Sequence, residues 1–120
     1  LDGDGSMLMH LGATAIQGAS NLPNFLHILI NNGAHDSVGG QPTVGLQIDL
    51  PKVASTCGYR NVRTTESSDE ISNHINALLA SDVGPNLLEI KVKKGARSNL
   101  GRPTTTPLAN RDAFMSEALK

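Results

Sequence analysis

Apolar residues along this 120-residue chain fall into short runs separated by turn-forming clusters. Leu8, Leu11 and Ala15 recur at intervals of three and four, which predicts a helix over about 6–19, begun through Asp4, Gly5 and Ser6 and closed by Asn21 and Pro23. Residues 25–30 form an apolar run broken only by His27. Six residues between Pro23-Asn24 and Asn31-Asn32-Gly33 fit a buried parallel strand better than a helix. The stretch 31–46, with Gly33, Gly39, Gly40, Gly45 and Pro42, reads as a long loop, and such loops in compact domains are functional or disordered. Residues 49–57, with Pro51 in the first turn, predict a short helix, and 61–64 a weak strand. Ser67 and Glu70 have capping-box spacing, and Ile71, Ile75, Leu78 and Leu79 follow on one face, predicting a helix over 68–81 that ends before Gly84 and Pro85. A further strand over 86–92 carries Leu87, Leu88, Ile90 and Val92; Thr106 and Pro107 then precede a last helix bearing Phe114, Met115 and Leu119. Alternation of helices with short apolar strands predicts an α/β fold, a parallel sheet with helices on both faces and right-handed crossovers. Because Leu1 is followed at once by a turn sequence, Leu1 and Asp2 are read as the end of a buried strand, and the sheet as incomplete at its N-terminus.

Composition narrows the partners. The length suits one domain, and a formal charge of -1 gives no general attraction to nucleic acid or acidic membrane. The longest apolar run is far shorter than the roughly 20 residues a spanning helix needs. Neither nucleic acid nor membrane is expected as a partner. Cys57 stands alone, so no internal disulfide can form, and a cytoplasmic location is expected; the residue itself is read as packing like a small apolar side chain.

Ligands of open parallel sheets sit beyond the carboxyl ends of the strands, and two such ends here are polar: Gly3-Asp4-Gly5-Ser6 and Asn31-Asn32-Gly33. A glycine turn running into a helix offers backbone N–H groups to an anion such as phosphate. A lone aspartate there would repel that anion, unless a hard divalent cation lay between them. Mg²⁺ takes oxygen ligands from carboxylate, amide, carbonyl and phosphate together, and Asp4 and Asn32 supply two of these.

The Gly3-Asp4-Gly5 turn, the 25 residues from Ser6 to Ile30 and the Asn31-Asn32 pair resemble the cofactor signature of thiamine diphosphate enzymes. That resemblance implies that Asp4 and Asn32 bind Mg²⁺ through side-chain oxygens and Ala34 through its carbonyl, while Gly3, Gly5 and Ser6 help to hold the diphosphate. Asn31 is the alternative to Asn32, one position away. The segments 31–43 and 95–103 are in turn similar to the phosphonopyruvate decarboxylase family, with sulfopyruvate decarboxylase as its near relative. The likeness runs over nearly all of the chain, which is read as the C-terminal, diphosphate- and Mg²⁺-binding domain of such an enzyme. It implies an upstream pyrimidine-binding domain, in the same chain or another, that carries the catalytic glutamate, and a homo-oligomer when complete. The implied reaction is decarboxylation of a 2-oxo acid, 3-phosphonopyruvate, to phosphonoacetaldehyde. The alternatives are a sulfopyruvate decarboxylase subunit and a cofactor-binding module without activity of its own.

A dianionic phosphonate calls for a basic reader. Lys91, Lys93, Lys94, Arg97 and Arg102 lie within 91–102 with no acid among them. Arg97 or Arg102 is the candidate, since a guanidinium donates in pairs to oxyanions; the other reading is a solvated strand end. His35, on the glycine-rich loop just past Ala34, is a candidate for proton transfer or substrate contact, against a loop-stabilising hydrogen bond. His10 is read as packed or capping, His27 as a satisfied core histidine and His74 as a surface residue; no pair has compact zinc-site spacing.

Overall fold

The structure is a computed structural model that describes all of residues 1–120. In chain order the elements are β1 (Asp2–Gly3), α1 (Asp4–Met9), α2 (Leu11–Ala19), β2 (Leu26–Asn31), β3 (Ala34–His35), β4 (Gln41–Pro42), α3 (Leu50–Thr56), β5 (Asn61–Thr65), α4 (Ser68–Leu79), β6 (Asn86–Lys91) and α5 (Pro107–Ala118). Four strands form one parallel sheet in the order β1-β2-β6-β5. β3 and β4 make a small antiparallel hairpin inside the long loop. The expected α/β sheet with helices on both faces is therefore present.

Strand alternation explains the two cores. On one face Leu29 and Leu87 join Met7, Leu50, Ala54 and Tyr59, with Leu8, Leu11, Phe25 and Val62 packed around them, so α1, α2 and α3 cover this side. On the other, Leu88 and Ile90 meet Leu78, with Leu26, Ile28, Ile30, Ile71 and Ile75, so α4 covers this one. No helix is long and apolar enough to cross a membrane.

Several local expectations are corrected. The helix expected over 6–19 starts two residues earlier, with Gly3 as its N-cap, and breaks at His10 into α1 and α2. Its inward positions include Thr14 and Gly18, whereas Ala15 is exposed. Gly18 is required there, because a Cβ would overlap the backbone carbonyl of Cys57. A hydrophobicity pattern does not register threonine and glycine as core-facing. Leu1 is 92% exposed rather than buried at a strand end, and Leu79 is exposed beside the inward Leu78. The anticipated capping box does not form. Ser67 makes no side-chain cap; instead Thr65 Oγ1 accepts from the Ser67 N–H at 3.0 Å and donates to Glu70 Oε2 at 2.7 Å. The last helix, α5, is capped by Thr106 but exposed along its whole length, including Phe114, Met115 and Leu119.

Candidate functional site

The carboxyl ends of β1 and β2 lie side by side, in register Asp2 with Leu29 and Gly3 with Ile30. The chain leaves β1 directly into α1 and leaves β2 into the β3–β4 hairpin. Between them opens a cleft of about 520 Å³ whose lining includes Gly3, Asp4, Gly5, Ser6, Asn32, Ala34 and His35, together with Asp2, Asp36 and Ser37. All of the residues expected around a diphosphate and a metal thus border one space.

Asp4 is its most buried acid, 1% exposed. Its Oδ1 accepts from the Asn32 N–H at 3.4 Å, and its Oδ2 accepts a hydrogen bond from Thr43 Oγ1. Both donors are neutral. Gly45 packs directly on this carboxylate: a Cβ there would overlap Asp4 Oδ2 and lie 2.9 Å from Asn31 Oδ1. Gly45 N–H in turn donates to Thr43 Oγ1 at 3.1 Å, so 43–45 is a strap across the acid.

The two asparagines diverge. Asn31 is fully buried and its amide is consumed inside the protein, with Nδ2 donating to Gly45 O at 2.8 Å and Glu89 Oε1 at 2.7 Å, and Oδ1 accepting from Gly33 N–H at 3.2 Å. Asn32 borders the cleft; its Oδ1 accepts from Ala34 N–H at 3.0 Å and keeps a second lone pair, while Nδ2 donates to Asp36 Oδ2 at 2.8 Å. Gly33, between Asn32 and Ala34, holds φ +66, a left-handed turn that reverses the chain into β3.

His35 stands against the first turn of α1. A Cβ on Gly5 would overlap its ring at Cε1 and Nδ1, so glycine at 5 is what lets the imidazole approach. Arg97 and Arg102 are exposed beyond β6 and do not line the cleft. Their segment is nevertheless tied to the cleft's loop: Gly95 N–H donates to Asp36 Oδ2 at 2.7 Å and Lys94 Nζ donates to Gly40 O. Lys91 pairs with Glu66 at 3.8 Å.

The remaining histidines are structural or external. His27 is buried, with Nδ1 3.2 Å from the Tyr59 hydroxyl and Nε2 3.5 Å from Asp2 Oδ2. Burial pushes its pKa below the ordinary value, partly offset by the Asp2 carboxylate. Tyr59, whose hydroxyl donates to Gln17 Oε1 at 2.7 Å, is pushed up to about 12 by burial and stays a phenol. His10 is exposed rather than packed; it takes the cap position between α1 and α2 with its backbone N–H donating to Ser6 O and Met7 O, and its side chain makes no cap bond. His74 is half-buried between Arg63 and Glu70. Cys57 is half-buried.

Thr43, Gly45, Asp36 and Glu89 escaped the sequence reading. Only Glu89 left a signal: it is the one acid in its strand, set between Leu88 and Ile90.

The cleft's donors suit a hard cation. Asp4 is a nearly inaccessible carboxylate with only neutral partners, and its neighbours offer amide and carbonyl oxygens; buried carboxylates are paired or bind metals.

Comparison with known proteins identifies the family. Residues 1–90 match the family described as thiamine pyrophosphate enzyme, C-terminal TPP binding domain. The chain is 46% identical over 107 residues to a phosphonopyruvate decarboxylase of Streptomyces viridochromogenes, covering 89% of this chain and 27% of that protein. It is 40% identical over 80 residues to the sulfopyruvate decarboxylase subunit beta of Methanocaldococcus jannaschii, covering 65% and 42%. Among solved structures, a putative thiamin diphosphate-dependent enzyme from Mycobacterium smegmatis superimposes with a TM-score of 0.63 at 26% identity, over 78% of this chain and 17% of that one. The chain therefore spans about a quarter of the phosphonopyruvate decarboxylase it matches. With its parallel sheet and its cleft at the β1 and β2 ends, the chain belongs to the family of C-terminal TPP binding domains of thiamine pyrophosphate enzymes.

Proposed function

We propose that this chain is the diphosphate- and Mg²⁺-holding part of a thiamine diphosphate-dependent decarboxylase acting on 3-phosphonopyruvate. A pyrimidine-binding domain in the same or another chain completes the site, the assembly is a homo-oligomer, and it works in the cytoplasm. The observation that carries the reading is the buried Asp4 carboxylate, free of any cationic partner, in one cleft with Asn32, Ala34 and the Gly5-Ser6 turn.

Asp4, Asn32 through Oδ1 and Ala34 through its carbonyl are the proposed metal ligands. The Gly3, Gly5 and Ser6 turn holds the diphosphate. α1 has only six residues before the break at His10, so its dipole is short and the cation supplies most of the attraction. The metal's task here is orientation and charge neutralisation. When bound, thiamine diphosphate supplies the electron sink that lets carbon dioxide leave a 2-oxo acid. The bond to the carboxylate carbon breaks, a proton takes its place, and the products are phosphonoacetaldehyde and carbon dioxide. His35, whose ring lies against Gly5, is the proposed group for proton transfer or substrate contact. Arg97 or Arg102 reads the phosphonate, from a segment that Gly95 and Lys94 tether to the cleft's loop.

The 46% identity to a phosphonopyruvate decarboxylase supports phosphonate over sulfonate, while the likeness to a separate sulfopyruvate decarboxylase subunit keeps sulfopyruvate as the second reading. Competition between the two substrates in the complete assembly decides. Preference for phosphonopyruvate in kcat/KM is expected; preference for sulfopyruvate replaces the assignment.

A further inference from the structure

Glu89 lies in the middle of the sheet, opposite Leu29 of β2, and is only 2% exposed. Its two hydrogen bonds come from neutral donors, Asn31 Nδ2 to Oε1 at 2.7 Å and Thr64 Oγ1 to Oε2 at 3.0 Å. A leucine at this point of a buried strand would avoid the desolvation that a carboxylate incurs. What the carboxylate adds is a fixed direction for the Asn31 amide.

That amide has one satisfactory orientation. Nδ2 faces two acceptors, Glu89 Oε1 and Gly45 O, while Oδ1 faces the Gly33 N–H. A reversed amide would turn its oxygen onto both acceptors and its NH₂ onto a donor. The amide so fixed holds two pieces of the cleft. Through Gly33 it sets the left-handed turn between Asn32 and Ala34, and through Gly45 O it keeps the 43–45 strap pressed on the Asp4 carboxylate.

We infer that Glu89 is a positioning residue for the metal and diphosphate cradle, acting through the Asn31 amide on the turn that carries Asn32 and Ala34 and on the strap that covers Asp4. The inference rests on the proposed cofactor reading of the cleft. Glu89 itself does not line the cleft that holds Asp4 and Asn32. Its effect depends on the reach of its acceptor oxygen to Asn31, and its charge is incidental.

The test separates reach from charge by calorimetric titration of Mg²⁺ with thiamine diphosphate into the intact protein that carries this chain. Glu89→Gln keeps the length and offers an oxygen to Asn31 Nδ2 and an amide to Thr64; Glu89→Asp keeps the charge but withdraws the oxygen by one methylene. Residues that orient metal ligands typically cost about tenfold to hundredfold in affinity when altered, so Glu89→Asp and Glu89→Leu are expected to weaken binding by about that factor, with Glu89→Gln within about threefold of the unaltered protein. If Glu89→Leu does not fold, the Asp and Gln pair decides alone. Equal affinities for the Asp and Gln variants, or a larger loss for Gln, overturn the inference. Asp4→Ala serves as the control. Cofactor binding that survives Asp4→Ala sinks the cofactor reading itself, whereas loss with Asp4→Ala and full affinity with Glu89→Asp sinks only the role of Glu89.

Discussion

The Asn32 N–H donates to Asp4 Oδ1 at 3.4 Å across a separation of 28 residues, joining the end of one parallel strand to the turn after another. Side-by-side pairing of β1 and β2 produces this meeting, since strands aligned in register finish at the same level. Everything proposed for the cleft is built around that contact.

The strap over Asp4 tolerates no side chain at 45. Gly45→Ala places a methyl group where Asp4 Oδ2 and Asn31 Oδ1 already are, and overpacking of this kind costs about 1–3 kcal/mol. Urea unfolding is expected to show a loss in that range, with the affinity for Mg²⁺ and thiamine diphosphate falling alongside. Unchanged stability and affinity would mean that 43–45 does not cover the acid.

Burial of His27 makes stability depend on pH. Unfolded, its imidazole titrates near 6.5; folded, burial holds the value lower and Asp2 restores only part of the shift. Between the two values the unfolded chain carries a proton that the native one lacks, so this stability is complete above the unfolded value and disappears as pH falls through the folded one. Urea midpoints measured from about pH 7.5 down to about pH 5 should decline for the unaltered protein more steeply than for His27→Asn. Parallel slopes would assign the acid loss to other groups.

Asp36 ties the segment after β6 to the hairpin by accepting from both Gly95 N–H and Asn32 Nδ2. Asp36→Ala removes both bonds. Hydrogen bonds to charged groups contribute about 1.5–3 kcal/mol, so Gly95 amide exchange should quicken by about tenfold or more; under the proposed reading of phosphonate by Arg97 or Arg102, KM for phosphonopyruvate in the assembled enzyme should also rise. Unaltered Gly95 exchange would show that this tether does not order 94–102.

Packing at the sheet centre sets the scale of global stability. Leu29 is wholly inaccessible between Met7, Leu50 and Leu87, and Leu29→Ala should cost about 2–5 kcal/mol by denaturant titration. A loss under about 1 kcal/mol would place the principal core elsewhere.

The α/β alternation was legible because the strands 25–30 and 86–92 and the helix 68–81 carry strong local patterns, and each was found within two residues of its bounds. The Asp4 and Asn32 pairing was legible through motif spacing, and the structure puts both on one cleft. What was hidden depends on contacts distant along the chain. Thr43 and Gly45 matter because a loop folds back over Asp4, and nothing local to Thr43-Val44-Gly45 announces that return. Thr65 took the bond that Ser67 was expected to make with Glu70, a choice set by where β5 ends. The close approach of α2 to Gly58 through Gly18 is likewise a contact that no periodicity reveals.

The central claim is that Asp4 anchors Mg²⁺ and, through it, the diphosphate. Titration of thiamine diphosphate into the intact protein, with and without Mg²⁺, for the unaltered chain and for Asp4→Ala, tests it directly. The account predicts binding that requires Mg²⁺ and is lost by at least about a hundredfold in Asp4→Ala, with the fold retained. Mg²⁺-dependent binding of equal strength in Asp4→Ala would contradict it.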